Sequence, residues 1–257
     1  MKTVIIISKK DIAGMNILNF INLDNVYVIE DESIFHENID KEIDADLFIF
    51  ATKHQGRTGV KTLSCHTPGN WSVAEYGGSD KKLCVAPVNF LREAFVKLEE
   101  INNSDEFKAL GYDVVTECTH HGPYLEKPII YIEIGATEEE WRDEKARQII
   151  ASVVEHLVNN ADEINSRQCV SAIAIGGLHT MPNFKKVILG SGVSIGHCCP
   201  KYMLEHLDIG LLRQAVDKSF PKASLVVIDW KGLGPYKEKV TELCEELGLE
   251  VKRTKEF

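Results

Sequence analysis

Short runs of apolar, often β-branched residues constrain the fold of this chain more than any other feature of its sequence. The first run is residues 3–7 (TVIII), and similar runs occupy residues 47–51, 129–134 and 172–175. Such runs are typical of strands buried on both faces of a sheet. Between them lie segments with apolar residues at i, i+3 and i+4 spacing, most clearly at residues 88–100, which predict amphipathic helices packed on the sheet.

This alternation predicts an α/β fold, a three-layer sandwich with a mixed sheet, right-handed crossovers and helices on both faces. The 257 residues are enough to bury a substantial core, and no linker, repeat or low-complexity tract divides them. A single domain spanning residues 1–257 is therefore expected. Thr137 and Glu140 have the spacing of a capping box, and the helix that they open is predicted to continue to about Asn159.

Charge and composition exclude several classes of protein. A net charge of −10 argues against extensive binding along DNA or RNA, which depends on many Lys and Arg contacts to phosphates. The N-terminal apolar run has four residues, too few for a signal-peptide core, and no stretch approaches the ~20 apolar residues of a membrane span. The seven cysteines are scattered, which favours neither a disulfide framework nor a four-cysteine zinc site. A reducing, cytoplasmic location is expected.

The sequence favours neither a nucleotide cofactor nor a nucleophilic serine. Neither G-x-G-x-x-G nor G-x-x-x-x-G-K occurs, so a nucleotide cofactor is not supported. The G-x-S-x-G spacing occurs at residues 192–196, but within a predicted strand and not at the strand-to-helix turn that exposes a nucleophilic serine, so no such nucleophile is predicted. Any catalysis must therefore depend on other side chains.

Histidines recur beside Gly or Pro near the predicted strand ends. His179 follows the apolar run at residues 172–175, and His197 follows a second run that is predicted to end at Gly196-His197. Ligands bind at the carboxyl ends of strands in α/β sheets, and histidine titrates near neutral pH. The histidines predicted to converge on one site are His54, His66, His120, His121, His179 and His197.

Glu133 adds a carboxylate to this set. It alternates with Ile132 and Ile134 in a predicted buried strand, where a carboxylate needs a polar partner or a metal. The neighbouring His120 and His121 cannot face the same way if a strand continues through them. Either one of them lies behind the other and acts through it, or the backbone turns there. Two chemistries remain open: hydrolysis by water that a histidine activates, or a zinc site with histidine and glutamate ligands.

Several short motifs, taken in order, carry a family resemblance. They are His54 in a polar loop, LSCHTPGN at residues 63–70, HHGP at 120–123, IEIG at 132–135, GGLHTMP at 176–182 and Gly196-His197. Together these motifs resemble those of the archaeal and plant type of D-aminoacyl-tRNA deacylase, over almost the full length of the chain. One departure is Thr180-Met181, since the family pattern has an aromatic residue between the histidine and the proline.

The resemblance implies a fold similar to the phosphorylase and peptidyl-tRNA hydrolase type. It also implies hydrolysis of the ester bond of D-aminoacyl-tRNA, which releases the free D-amino acid and recycles mischarged tRNA, and a zinc cofactor. The implied catalytic residues are His54, His66, His120, His121, Glu133, His179 and His197. Of these, His120, His179, His197 and Glu133 are the expected metal ligands.

Such an enzyme needs to hold only the single-stranded acceptor end of the tRNA, through stacking and a few basic contacts. The candidate stacking residues are Trp71, Tyr76 and Tyr124. The expected substrate-binding residues are Asn70, Trp71, Gly122, Pro123, Gly176, Gly177, Lys185 and Lys186. Basic residues flank the candidate loops, including Lys53 and Arg57, and residues 71–82 are predicted to form a long functional loop. Removing the charges of Lys185 and Lys186 is expected to raise KM.

Two alternatives remain at this stage. A nucleosidase or phosphorylase would share the fold and a histidine-lined pocket. A non-catalytic module that binds the end of tRNA would need the loops but not the density of titratable residues. The sequence leaves a monomer and a weak dimer equally open.

Overall fold

Twelve strands and nine α-helices are formed by residues 1–56 and 59–257, which the computed structural model describes. The strands are β1 (Thr3–Ser8), β2 (Val26–Ile29), β3 (Leu47–Lys53), β4 (Thr62–His66), β5 (Ala86–Pro87), β6 (Asp113–Thr116), β7 (Ile129–Gly135), β8 (Val170–Ile175), β9 (Val193–Cys199), β10 (Ser219–Phe220), β11 (Leu225–Ile228) and β12 (Glu250–Arg253). The α-helices are α1 (Ile12–Ile17), α2 (Ile39–Glu42), α3 (Val88–Asn102), α4 (Glu138–Trp141), α5 (Glu144–Asn159), α6 (Ala161–Ser166), α7 (Lys185–Gly190), α8 (Ile209–Asp217) and α9 (Lys237–Glu246).

The strands form two principal sheets. A six-stranded sheet has the order β2-β1-β3-β7-β4-β6, and its neighbours are parallel except for β4 and β7, which are antiparallel. A four-stranded parallel sheet has the order β12-β11-β8-β9, and β5 pairs with β10. The predicted α/β fold with a mixed sheet is confirmed, although β8, β9, β11 and β12 form a separate parallel sheet.

The core extends across both sheets. Ile49 of β3 and Ala174 of β8 belong to one buried cluster with apolar residues of α3 and α5. On another face, Ile173 of β8 packs in a second cluster with residues of α8 and α9. Helices therefore cover both faces, as the sequence predicted. None of the described helices combines the length and the apolar character that crossing a bilayer requires.

The predicted helix from Thr137 to Asn159 is interrupted. Thr137 forms the expected capping box with Glu140, but α4 ends at Trp141 and α5 begins at Glu144. Asp143 causes the restart, because its carboxylate accepts hydrogen bonds from the backbone NH groups of the first turn of α5. A second helix start inside the predicted segment was therefore missed.

The prediction that a strand ends at Gly196-His197 is wrong. β9 runs through both residues, and residues 185–190 form α7. Gly196 serves close packing instead, since a Cβ there would lie 2.8 Å from Oγ of Ser219 and 2.9 Å from a methyl group of Val88. The glycine lets α3 and β10 approach β9, and His197 lies inside the strand.

Candidate active site

Side chains from several strand ends meet at one place. His54 directly follows β3, His66 is the last residue of β4, and Glu117 directly follows β6. His179 lies four residues beyond the end of β8. Glu133 lies within β7, where its register partners are Thr52 on one side and Ser64 on the other. The topology of the two sheets thus brings distant segments of the chain together.

The site, called here the His-Glu cluster, consists of five imidazoles and two carboxylates: His54, His66, His120, His121, His179, Glu117 and Glu133. The ring centroids of His120 lie 4.4 Å from those of His66 and His121 and 4.5 Å from that of His179. The ring centroids of His54 and His179 are 6.0 Å apart. Six of these seven residues were predicted from the sequence.

Glu117 is the member that sequence reasoning missed. Its side chain is fully buried, with Oε2 3.1 Å from Nε2 of His179 and Oε1 3.2 Å from Nδ1 of His54. Burial raises the pKa of Glu117, but the contacts with His179 and His54 outweigh it and hold that pKa well below its usual range. Two features of the sequence could have identified it: Glu117 directly follows the short strand at residues 113–116, and it lies three residues before His120.

Glu133 has the polar partners that the sequence led us to expect. Thr52 donates a hydrogen bond from Oγ1 to Oε1 at 2.7 Å. Oε2 lies 3.7 Å from Nδ1 of His54 and 3.6 Å from Nε2 of His66. Burial raises the pKa of Glu133, but the imidazoles of His54 and His66 more than offset this and lower it below its usual range. The carboxylate is thus held ionised inside the protein.

The backbone turns between His120 and His121, which resolves the orientation of this pair. His121 adopts a φ of 48°, in the left-handed region, and both rings face His66, with centroid distances of 4.4 and 4.9 Å. Burial, together with the neighbouring imidazoles, lowers the pKa of His120 well below 6.5 and that of His121 to about 4. Both rings are therefore neutral near pH 7.

His54 and His179 have the opposite electrostatic character. Burial acts to lower the pKa of His54, but Glu117 and Glu133 raise it to about 10. Burial likewise opposes protonation of His179, but Cys118 and Glu117 raise its pKa to about 10. The cluster thus combines neutral imidazoles with imidazoles that favour the protonated form.

Two further side chains at the site were not predicted. Oη of Tyr202 lies 3.0 Å from Nδ1 of His179 and 3.3 Å from Sγ of Cys118. Sγ of Cys118 lies 3.4 Å from the same imidazole nitrogen. Both residues follow or lie near predicted strand ends, but nothing in their local sequence marks them, because the contacts join residues 23 to 84 positions apart.

Several groups of three side chains could hold a metal ion, with ligand atoms within 4.8 Å of one another. They are His66–His120–His121, Cys118–His120–His179, His54–Glu117–His179 and His66–Glu117–Glu133. The expected ligand set of His120, His179, His197 and Glu133 does not form one of these groups among the described residues.

His197 is separate from the cluster. It is completely buried in β9, where Nδ1 lies 3.3 Å from Oγ1 of Thr119 and the ring packs edge-on to Trp71. Burial, and then the charge of Lys218, lower the pKa of His197 to about 3. The expectation that it lies at a strand end with the other histidines is corrected by the continuation of β9.

The predicted stacking residues differ in exposure. Trp71 is only 2% exposed and donates a hydrogen bond from Nε1 to the carbonyl oxygen of Cys198, so it is a core residue that cannot stack on a base. Tyr124 is half-buried beneath the ammonium group of Lys218. Tyr76 is 62% exposed.

Other expected substrate-binding residues shape the loops around the cluster. The side-chain amide of Asn70 donates a hydrogen bond to the carbonyl oxygen of Gly77. This bond holds the irregular segment at residues 71–82 in place. Gly122 packs against Gly78 so closely that a Cβ would lie 2.2 Å from the latter's backbone nitrogen, and the adjacent Pro123 is buried.

The remaining predicted binding residues differ in position, and Gly176 and Gly177 belong to the loop that carries His179. Gly176 adopts a φ of 100°, and neighbouring Gly177 packs on Met181. Lys185 forms an ion pair with Glu99 and lies 3.4 Å from Asp113, at the opposite end of β6 from Glu117, which corrects its expected place at the site. Lys186 is exposed. Arg57 lies outside the described residues.

Imidazoles and carboxylates gathered at the strand ends of an α/β fold are candidate general acids and bases of an enzyme active site. A family model described as D-aminoacyl-tRNA deacylase matches residues 41–252 of the chain. The chain belongs to the D-aminoacyl-tRNA deacylase family. The family resemblance inferred from the sequence motifs is thereby confirmed.

Individual relatives agree with this assignment, and a solved structure shares the fold. The D-aminoacyl-tRNA deacylase of Pyrococcus abyssi is 34% identical over 233 residues, covering 88% of this chain and 82% of the relative. That of Thermococcus onnurineus is 31% identical and covers 96% and 98% of the two chains. A crystal structure described as a conserved protein of unknown function is 28% identical, with a TM-score of 0.87, and covers 99% of this chain and 96% of that one.

Proposed function

We propose that this protein hydrolyses the ester bond between a D-amino acid and the terminal ribose of tRNA at the His-Glu cluster. The observation that carries this proposal is the convergence of five imidazoles and the buried carboxylates of Glu117 and Glu133 at strand ends in a member of this family. Such a site has proton donors and acceptors but needs no nucleophilic serine. It suits attack by water on an ester.

Within this proposal, Glu117 organises the groups that handle protons and charge. It lies between His54 and His179, with one oxygen close to each imidazole, so both rings keep a fixed orientation. The carboxylates of Glu117 and Glu133 face Nδ1 of His54, so the NH group at Nε2 of this ring, which favours the protonated form, can stabilise the negative charge that develops on the ester oxygen. Proton transfer by a positioned imidazole contributes about 10²- to 10⁴-fold to the rate.

The donor set also fits a zinc ion. His66, His120 and His121 form a group of three imidazoles, the ligand set of many catalytic zinc sites, which leaves a fourth position open. Neither ring nitrogen of the buried His66 has a hydrogen-bond partner among the described residues, so a metal would satisfy an otherwise unpaired donor atom. When bound, zinc supplies a water molecule whose pKa is lowered toward ~7.

The substrate contact in this proposal is confined to the acceptor end of the tRNA. The net charge of −10 argues against a long contact with tRNA, which depends on many Lys and Arg contacts to phosphates. Stacking of the terminal bases and a few basic contacts are sufficient for a small footprint. The loop at residues 71–82 adjoins His121-Gly122 through the packing of Gly78 on Gly122, so it borders the site where that end would lie.

The test is release of free D-tyrosine and intact tRNA from D-tyrosyl-tRNA in a phosphate-free buffer with limiting enzyme. Hydrolysis under these conditions would support a deacylase. Release of a free base from nucleosides only when phosphate is added would support a phosphorylase instead. Binding of D-tyrosyl-tRNA without turnover would support a binding module.

A further inference from the structure

Tyr202 combines a contact with the His-Glu cluster and a surface open to solvent. It lies in a single 3-10 turn, Lys201–Met203, directly after β9. The residue is 51% exposed although its hydroxyl group lies at the cluster. Nothing in the proposed deacylase mechanism so far uses this side chain.

The hydroxyl group of Tyr202 holds the ring of His179. Oη lies 3.0 Å from Nδ1 of His179, while Nε2 on the opposite side of that ring lies 3.1 Å from Glu117. The hydroxyl group can donate to a neutral imidazole or accept from a protonated one, so the contact persists in either state. With both nitrogens engaged, the plane of the His179 ring is fixed relative to Glu117.

The ring of Tyr202 differs from the other aromatic rings near the cluster. Tyr131 packs against His66 and His121 but is completely buried, so it cannot meet a substrate base. Trp141 donates a hydrogen bond from Nε1 to the backbone of His54, and the ammonium group of Lys53 lies over its ring at 5.4 Å. Tyr202 thus combines direct contact with a cluster imidazole and substantial exposure to solvent.

The chemistry of the substrate supplies a ligand for that face. In an aminoacyl-tRNA, the ester and the terminal adenine are carried by the same ribose. When the ester lies at the His-Glu cluster, the adenine must therefore lie beside the cluster, toward solvent. Stacking of a base on an aromatic ring is worth ~1–3 kcal/mol and requires an exposed ring face.

We propose that Tyr202 both positions His179 through its hydroxyl group and stacks on the terminal adenine of the substrate through its ring. This inference rests on the proposed deacylase function and names the residue that binds the nucleotide end of the substrate. Lys201, adjacent in sequence, is exposed and adds a positive charge to the same turn.

Two substitutions separate the two roles. Tyr202→Phe keeps the ring and removes the hydroxyl group, so kcat on D-tyrosyl-tRNA is expected to fall about 10-fold while the affinity for the nucleotide is unchanged. Tyr202→Leu removes both, so the same loss of kcat is expected together with about 10-fold weaker binding of the nucleotide. Tyr27→Leu, at an exposed position in β2, is the control and is expected to change neither quantity.

Nucleotide affinity is measured by titration calorimetry with adenosine 5′-monophosphate, a probe that resembles the terminal nucleotide and does not require turnover. Equal affinity in the Tyr202→Phe and Tyr202→Leu variants would overturn the stacking role. An unchanged kcat in Tyr202→Phe would overturn the positioning role. Thermal unfolding of each variant establishes that it is folded, and Tyr202→Trp, which keeps an aromatic face, is expected to bind the probe like the Phe variant. A wild-type protein that fails to cleave D-tyrosyl-tRNA would instead overturn the proposed function.

Discussion

Oε2 of Glu117 lies 3.1 Å from Nε2 of His179, and this contact joins the end of β6 to the loop after β8. It couples the six-stranded sheet to the four-stranded sheet at the proposed catalytic centre. The other oxygen of the same buried carboxylate faces His54. One side chain thus orients two imidazoles that come from segments more than a hundred residues apart.

Neutralising Glu117 is therefore expected to impair catalysis. The Glu117→Gln variant keeps the size of the side chain but removes the charge that orients His54 and His179, so kcat for D-tyrosyl-tRNA should fall by about 10²-fold or more. Glu93→Gln is the matched control, because Glu93 pairs with His156 and Arg167 outside the cluster. Its kcat should remain that of the wild type. Equal kcat values for the two variants would remove Glu117 from the mechanism.

Removal of zinc is expected to reduce both activity and thermal stability. Ligands that are preorganised in the fold bind the ion more tightly than the unfolded chain does, so the ion raises Tm. The measurement is activity and Tm of protein freed of metal by a chelator, verified by elemental analysis, before and after addition of zinc. Full activity and an unchanged Tm in the metal-free protein would contradict the zinc proposal.

His66→Gln tests the proposed ligand set directly. This variant removes one of the three imidazoles of the His66–His120–His121 group, so its zinc content should fall. His206→Gln, at an exposed position, is the control and should retain the wild-type content. Equal zinc content in the two variants would place the ion elsewhere.

Stability at acidic pH should depend on His197. In the folded protein this imidazole stays neutral down to about pH 3, because it is buried and faces the charge of Lys218. The unfolded chain takes up the proton near pH 6.5, so acidification between these values favours the unfolded state by up to about 1.4 kcal/mol per pH unit. Above pH 6.5 this residue makes no contribution to the pH dependence.

The measurement is the free energy of unfolding between pH 7 and pH 4 for the wild type and for His197→Gln. The variant should lose less stability on acidification, whatever its stability at pH 7. Its zinc content should be that of the wild type, because His197 lies apart from the cluster. Equal slopes against pH would contradict the account of this residue.

Lys185 is expected to affect stability and not substrate binding, in contrast to the prediction from sequence. Its ammonium group pairs with Glu99 and lies near Asp113, so Lys185→Met should lower the free energy of unfolding by up to about 1 kcal/mol. KM for D-tyrosyl-tRNA should be unchanged. Lys186→Met, at the neighbouring exposed position, should change neither quantity. A higher KM in Lys185→Met would return this lysine to the substrate site.

Much of the fold could be predicted because buried strands and amphipathic helices leave periodic patterns. The strands predicted at residues 3–7 and 47–51 and the helix predicted at residues 88–100 follow from these local patterns alone. The break between α4 and α5 could not be predicted, because Asp143 is unremarkable until its carboxylate meets free NH groups. Gly196 suggested the end of a strand, whereas the need for a glycine there comes from α3 and β10 packing against it.

The candidate site likewise combines residues that the local sequence reveals with residues that only contacts across the fold reveal. Histidines beside Gly and Pro were visible in the sequence, and five of the six do converge. His197 belongs to the core because β9 continues past Gly196, a fact of strand pairing that local sequence does not reveal. Glu117 and Tyr202 were missed because their importance comes entirely from contacts across the fold.

The central claim is that the His-Glu cluster hydrolyses D-aminoacyl-tRNA, and its most direct test compares two substrates and two proteins. D-tyrosyl-tRNA and L-tyrosyl-tRNA are each incubated with limiting zinc-supplemented wild-type protein and with the Glu117→Gln variant, and the remaining ester is followed over time. We predict rapid loss of the D-ester with the wild type, little loss of the L-ester, and slow loss of either with the variant. Persistence of the D-ester with the wild type would contradict the claim, and so would equal cleavage of the D-ester by both proteins.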